Sequence, residues 1–285
     1  MMTKTWTEPL VLSLMAENSS SDPRLVIQAY AERLLSEARQ DRLPIDVDTI
    51  ASVKGVRSRR GAHDFAGRIY VEAGDQLVMD LNANDPPSRQ RFTCAHEMMH
   101  TAFPNFTEEK RYRLDTSVEA KPLNQEEEYL CDLGAAALLM PTALVADKYR
   151  LSEGGLKTVE KLSRRADVSL EAAGNRLAEL SAQPVAFMVF EHGHKPADRP
   201  ALRRGKPVEK RVRLRYAHCS GLDVYLPRFK GADDGSAIAL AHQTGEIESR
   251  VEKLPGVSSG ALFDIEAKRY GSEDLERVLA VARPI

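Results

Sequence analysis

The segment His96-Glu97-Met98-Met99-His100 sets two imidazoles four residues apart, with a carboxylate directly after the first. On a helix, residues i and i+4 lie one turn apart on the same face, so both rings can reach one ion. Glu97 then stands beside that ion as a general base, acting on a water whose pKa the metal lowers toward about 7. The chemistry this pattern points to is metal-assisted hydrolysis. Phe92, Ala95, Met99 and Phe103 around it suggest a packed helix rather than an exposed one.

Two histidines leave such an ion short of a third protein ligand, because the usual catalytic zinc set is two His and one Glu plus water. After His100 the next histidine is His192, so a carboxylate is the better candidate. A second helix opens with Glu126-Glu127-Glu128. Glu128 and Asp132 are i and i+4 on one face, and Ala135-Ala136 beyond them permits close approach to the histidine helix. Glu128 is therefore read as the third ligand, and Asp132 as the group that orients a ligand imidazole through its other ring nitrogen. Glu126 and Glu127 are assigned to the helix first turn, where negative charge suits the dipole. The donor set suits zinc first, and the same set accepts manganese or iron. Tyr149, Arg150, Tyr112 and His63 are all available as oxyanion donors, and the sequence does not choose among them.

The elements that must position these groups follow from local signals. Asp22-Pro23 starts a helix carrying Leu25, Ile27, Ala29 and Leu34-Leu35, and a short helix lies around Asp48–Val53. Two strands, Gly67–Val71 and Gln76–Leu81, form a hairpin. The second could be a sheet edge that pairs with an extended substrate, or an internal strand. Asp85-Pro86-Pro87-Ser88 breaks the sheet and opens the histidine helix, expected to run to about Phe103. The acidic helix covers about Gln125 to Leu139.

With both helices placed, the chain resembles the ImmA/IrrE family of bacterial metallopeptidases. Arg89-Gln-Arg-Phe92-Thr-Cys-Ala-His96-Glu97 is similar to that family's Arg-Phe-Thr-x-Ala-His-Glu lead into the motif. Glu128 through Ala135-Ala136-x-Leu138-Leu139-Met140-Pro141 resembles its glutamate-ligand helix and Leu-Leu-Met-Pro ending. Met99 stands where the family commonly has Gly, and Cys131-Asp132 and Gly134 replace its usual Ala-Asn and Phe.

The resemblance implies an α+β chain with a gluzincin-like metallopeptidase domain over residues 23–150, after an N-terminal lead-in at 1–22. It implies a helix-turn-helix-like linker segment at 151–183, with a DNA reader and a helical linker packed on the peptidase domain as equal alternatives. IrrE-type regulators add a GAF-like sensor domain, which would occupy 184–285. The implied activity is cleavage of a helix-turn-helix transcriptional repressor, which induces stress-response or mobile-element genes. The competing reading is a DNA-binding or ligand-sensing regulator with a vestigial metal site.

Composition bounds these readings. A formal net charge of −2 argues against wholesale polyanion binding. Residues 195–215 hold nine Lys and Arg against two acids, a run read as a solvated loop or hairpin. Three scattered cysteines, Cys94, Cys131 and Cys219, offer no metal or redox pair of their own, so a reduced cytoplasm is the expected compartment. Neither a signal peptide nor a membrane span is expected. His192-Gly193-His194 reads as a solvated turn, and Cys219 as a half-buried strand residue. Strands are expected at 185–190, 212–216 and 222–226.

Overall fold

The computed structural model describes residues 5–104, 106, 125–257, 260–271 and 276–285. The chain divides into two compact units: residues 1–144 with 164–169, and residues 145–163 with 170–285.

The first unit is built on helices α1 (Pro9–Glu17), α2 (Pro23–Glu37) and α3 (Val47–Val53), and strands β1 (Arg57–Gly61), β2 (Gly67–Glu72) and β3 (Gln76–Asn82). Helices α4 (Pro87–His100), α5 (Gln125–Leu139) and α6 (Thr142–Val145) follow. Asp22 caps α2 by accepting from Arg24 N, and Asp46 caps α3 through Asp48 N and Thr49 N. Residues 9–17, expected within a polar lead-in, instead form a helix that buries Val11 and Leu14. Its start and that of α5 hold each other: Glu126 accepts from the backbone of Thr7 and Glu8, and Glu8 accepts from that of Glu126 and Glu127.

The three-stranded sheet has the order β1-β3-β2, with β1 parallel and β2 antiparallel to β3. The strand from Gln76 is therefore central, not an edge, and no added strand can pair with it. The sequence does not announce β1, whose Arg57-Ser-Arg-Arg-Gly61 has no apolar side chain to bury. Backbone pairing to β3 holds it, with Arg57 and Arg59 ion-paired to Glu72 and Arg60 to Asp48.

The second unit contains most of α7 (Leu151–Ala166), together with α8 (Leu170–Glu179), strands β4 (Val185–Gly193) and β5 (Arg211–Ser220), and the short helix α9 (Arg199–Arg203) between them. Helix α10 (Ala237–Thr244) and strands β6 (Glu248–Glu252), β7 (Phe263–Tyr270) and β8 (Arg277–Pro284) complete it. The sheet is antiparallel throughout, in the order β5-β4-β8-β7-β6. Ala186, Met188 and Phe190 face a core shared with Ile238 and Ala241 of α10. Phe187 points the other way, onto α8, where a Cβ on Gly174 would lie 2.2 Å from its ring. Burial on both sides explains why β4 reads as a continuous apolar run rather than an alternating one.

Residues 222–226, expected as a strand, form none. Leu222, Val224 and Leu226 still pack against the core, so alternate burial is satisfied without a hydrogen-bonded partner. His192 and Gly193 end β4 rather than forming a turn, and Cys219 is a half-buried residue of β5. Among the described residues no helix is long and apolar enough to cross a membrane.

Candidate metal centre

Helix α4 begins at Pro87, whose ring suits the first helical position. Gln90 Nε2 donates to the carbonyls of Ala83 and Asp85, which fixes the entry of the chain. Arg91 donates to the carbonyls of Ile45 and Ala166 and pairs with Asp167, so one side chain ties α4 to two other segments of its unit. The helix ends at His100, short of the expected Phe103, because the chain tightens there. Thr101, Ala102 and Phe103 each donate from N–H to the carbonyl three residues back. The Thr101 hydroxyl also donates to the Met98 carbonyl and lies 2.5 Å from Tyr30 Oη.

Close packing of α4 on α5 depends on a matched pair of sizes. A Cβ on Gly134 would lie 2.5 Å from Met99 Sδ and 2.6 Å from Ile27 Cγ2. The bulk of Met99 thus fills the space that the absence of a side chain at Gly134 leaves open. The two departures from the family pattern are one exchange of volume, with the contact between the helices kept.

That contact brings His96, His100, Glu128 and Asp132 to one place. His96 Nε2 is 3.2 Å from Glu128 Oε2, and His100 Nε2 is 3.8 Å from Glu128 Oε1. Both Nε2 atoms therefore face one carboxylate. The opposite ring nitrogens are held from behind: His96 Nδ1 is 2.9 Å from Asp132 Oδ1, and His100 Nδ1 is 2.7 Å from Glu127 Oε1. The two rings lie edge to face with centroids 5.1 Å apart. Glu97 is buried between them in sequence.

Glu127 is the residue that sequence reasoning missed. Its place in the first turn suggests only a helix-dipole role, yet its side chain and that of His100 are each only 4% exposed. A signal was available. In antiparallel helices one step of four along α4, from His96 to His100, corresponds to about one turn back along α5. The partner equivalent to Asp132 should then fall near 127 or 128, and Glu128 already has another role.

Four carboxylates surrounding two imidazoles make a strongly anionic donor set. Burial alone would lower the pKa of His96, but the hydrogen bonds to Asp132 and Glu128 and the charge of Glu97 outweigh it and raise it to about 10. A site that so favours a positive charge on the ring fits a divalent cation, which would take that place. Among the described residues one further donor lies near: Cys131 Sγ and a ring nitrogen of each histidine are within 4.8 Å of one another. For the third position the carboxylate of Glu128 is the stronger candidate, since it faces both Nε2 atoms, at 3.2 and 3.8 Å.

Three of the four oxyanion candidates lie among the described residues. His63 stacks on Phe65, with centroids 4.6 Å apart. Arg150 pairs with Glu153, and Lys161 lies over the ring of Tyr149, all within the second unit. Tyr112 lies outside the described residues.

Residues 52–178 match the model of the IrrE N-terminal-like domain, Peptidase M78. Over 112 residues the chain is 39% identical to the radiation response metalloprotease IrrE of Deinococcus deserti, covering 39% of this chain and 40% of that protein. Over 212 residues it is 30% identical to the radiation response metalloprotease IrrE of Deinococcus radiodurans, covering 70% of this chain and 62% of the relative. The matched region thus spans less than two thirds of either relative. Among solved structures, a Mycobacterium tuberculosis transcriptional regulator shares the fold, with a TM-score of 0.60 at 13% identity over 96% of this chain and 79% of that one. The segment that carries both site helices is thus an IrrE N-terminal-like domain, the peptidase domain of the ImmA/IrrE family.

Proposed function

We propose that this protein is a metal-dependent endopeptidase that cleaves a helix-turn-helix transcriptional repressor, inducing stress-response or mobile-element genes. The observation that carries the reading is the convergence of His96 Nε2 and His100 Nε2 on Glu128, with both Nδ1 atoms anchored by carboxylates. His96, His100 and Glu128 hold the ion, zinc first, with manganese or iron as alternatives. When bound, the ion supplies Lewis acidity, polarising a peptide carbonyl and lowering the pKa of water.

The chain's own residues do the rest. Asp132 and Glu127 fix the two imidazoles so that each presents Nε2 inward. The Glu97 carboxylate takes the proton of the attacking water and returns it to the amine nitrogen of the leaving peptide. Its burial keeps bulk water from competing for that proton. An extended substrate can add to an edge of the three-stranded sheet, and those edges are β1 and β2.

For the remainder of the chain we favour a packed linker followed by a GAF-like domain. Helix α8, in the place of a recognition helix, buries Ala173, Gly174, Arg176, Leu177 and Ala178. Glu171 accepts from Tyr216 Oη, and Glu160 of α7 accepts from Lys268 and Tyr270. Surface committed to the second unit in this way is not offered to a DNA groove, which weighs against the reader.

The test is to incubate the purified protein and its Glu97→Gln variant, each with defined metals, with the repressor encoded beside the gene. Metal bound by both and cleavage by the wild type alone is the expected outcome. Cleavage that survives Glu97→Gln would sink the peptidase reading.

A further inference from the structure

Cys131 lies on α5 three residues after Glu128 and four after Glu127, on the face that meets α4. Its side chain is fully buried. Its sulfur and one ring nitrogen of each histidine are mutually within 4.8 Å. Donors around a tetrahedral zinc, with bonds of about 2.0–2.3 Å, also fall within that limit of one another. The Met99 and Gly134 departures exchange volume, and Asp132 gives His96 a charged anchor. The thiol that replaces alanine does neither. It adds a donor atom beside two imidazoles.

We propose that Cys131 is a ligand of the metal centre, binding as a thiolate beside His96 and His100. The inference rests on the metal-centre reading above. In forming the bond, the S–H bond breaks, Sγ binds the ion and the proton leaves to solvent. The centre then has two imidazoles, a carboxylate and a thiolate to draw on, whereas the family pattern supplies no sulfur at this position. A soft thiolate favours zinc over manganese.

The test uses the full chain loaded with one equivalent of cobalt(II). A near-ultraviolet sulfur-to-cobalt charge-transfer band beside the visible d–d bands is expected. Cys131→Ser should remove the first and keep the second, while Cys94→Ser should keep both. Zinc-edge X-ray absorption on the unmodified protein gives the same answer without a variant, as a sulfur scatterer at about 2.3 Å. Zinc affinity should fall on the order of tenfold more than manganese affinity in Cys131→Ser. Visible bands without charge transfer, or nitrogen and oxygen scatterers alone, overturn the proposal and leave the histidine–glutamate centre standing. Failure to bind cobalt or zinc at all overturns both.

Discussion

The two imidazoles of the motif are anchored in opposite surroundings. His100 and Glu127 meet in the interior, each 4% exposed, whereas Asp132, the anchor of His96, is 62% exposed. Geometry alone would rank the bonds as near equals, at 2.7 and 2.9 Å. Solvent separates them. A buried pair that loses one member leaves an unsatisfied polar group in the core, while an exposed carboxylate is readily replaced by water. The His100 side therefore serves as the fixed half of the centre and the His96 side as its adjustable half.

Removing the buried anchor is the largest way to break this contrast. Glu127→Ala should lower stability by about 3 kcal/mol in urea unfolding and weaken metal binding roughly 10–100-fold. A stable variant with wild-type affinity would show that the two anchors are equivalent after all. Next comes the packing that sets the distance between the helices. Gly134→Ala should cost about 1–3 kcal/mol through its clash with Met99 and Ile27. Met99→Ala in the same chain should recover part of that loss, seen as a favourable coupling in a double-mutant cycle.

The exposed anchor predicts a split result. Asp132→Asn should leave stability within about 0.5 kcal/mol at neutral pH and still weaken metal binding by about tenfold. Titration calorimetry beside chemical denaturation separates the two effects. The smallest effect is a pH slope in the metal-free protein. His96 is raised to about 10 against burial by Asp132, Glu128 and Glu97, compared with about 6.5 unfolded. Its stabilisation is then complete below about pH 6.5 and fades as pH climbs toward 10. Thermal melts across that window should fall more steeply for wild type than for Asp132→Asn, and superimposable curves would remove the His96–Asp132 pair from the account.

What the sequence made legible divides along the same physical line. His96, Glu97 and His100 are read directly, since one helical turn is a local rule, and Glu128 and Asp132 follow from the same spacing. Glu127 was passed over because its partner lies 27 residues away, and only tertiary packing converts a first-turn carboxylate into a buried one. Strand β1 has no apolar alternation, and its place depends on the backbone of β3. Helix α1 is fixed in part by caps exchanged with α5, across 118 residues. The segment 222–226 shows the opposite error: alternation records which side chains are buried, and a strand also needs a neighbour with which to pair.

The central claim is that the Nε2 atoms of His96 and His100, together with Glu128, hold a divalent ion. Anomalous diffraction at the zinc edge, on crystals grown with one equivalent of zinc, tests it most directly. The account predicts a single strong peak about 2.0–2.2 Å from both Nε2 atoms and within bonding reach of Glu128. A peak on the Nδ1 side, or none between α4 and α5, would contradict it.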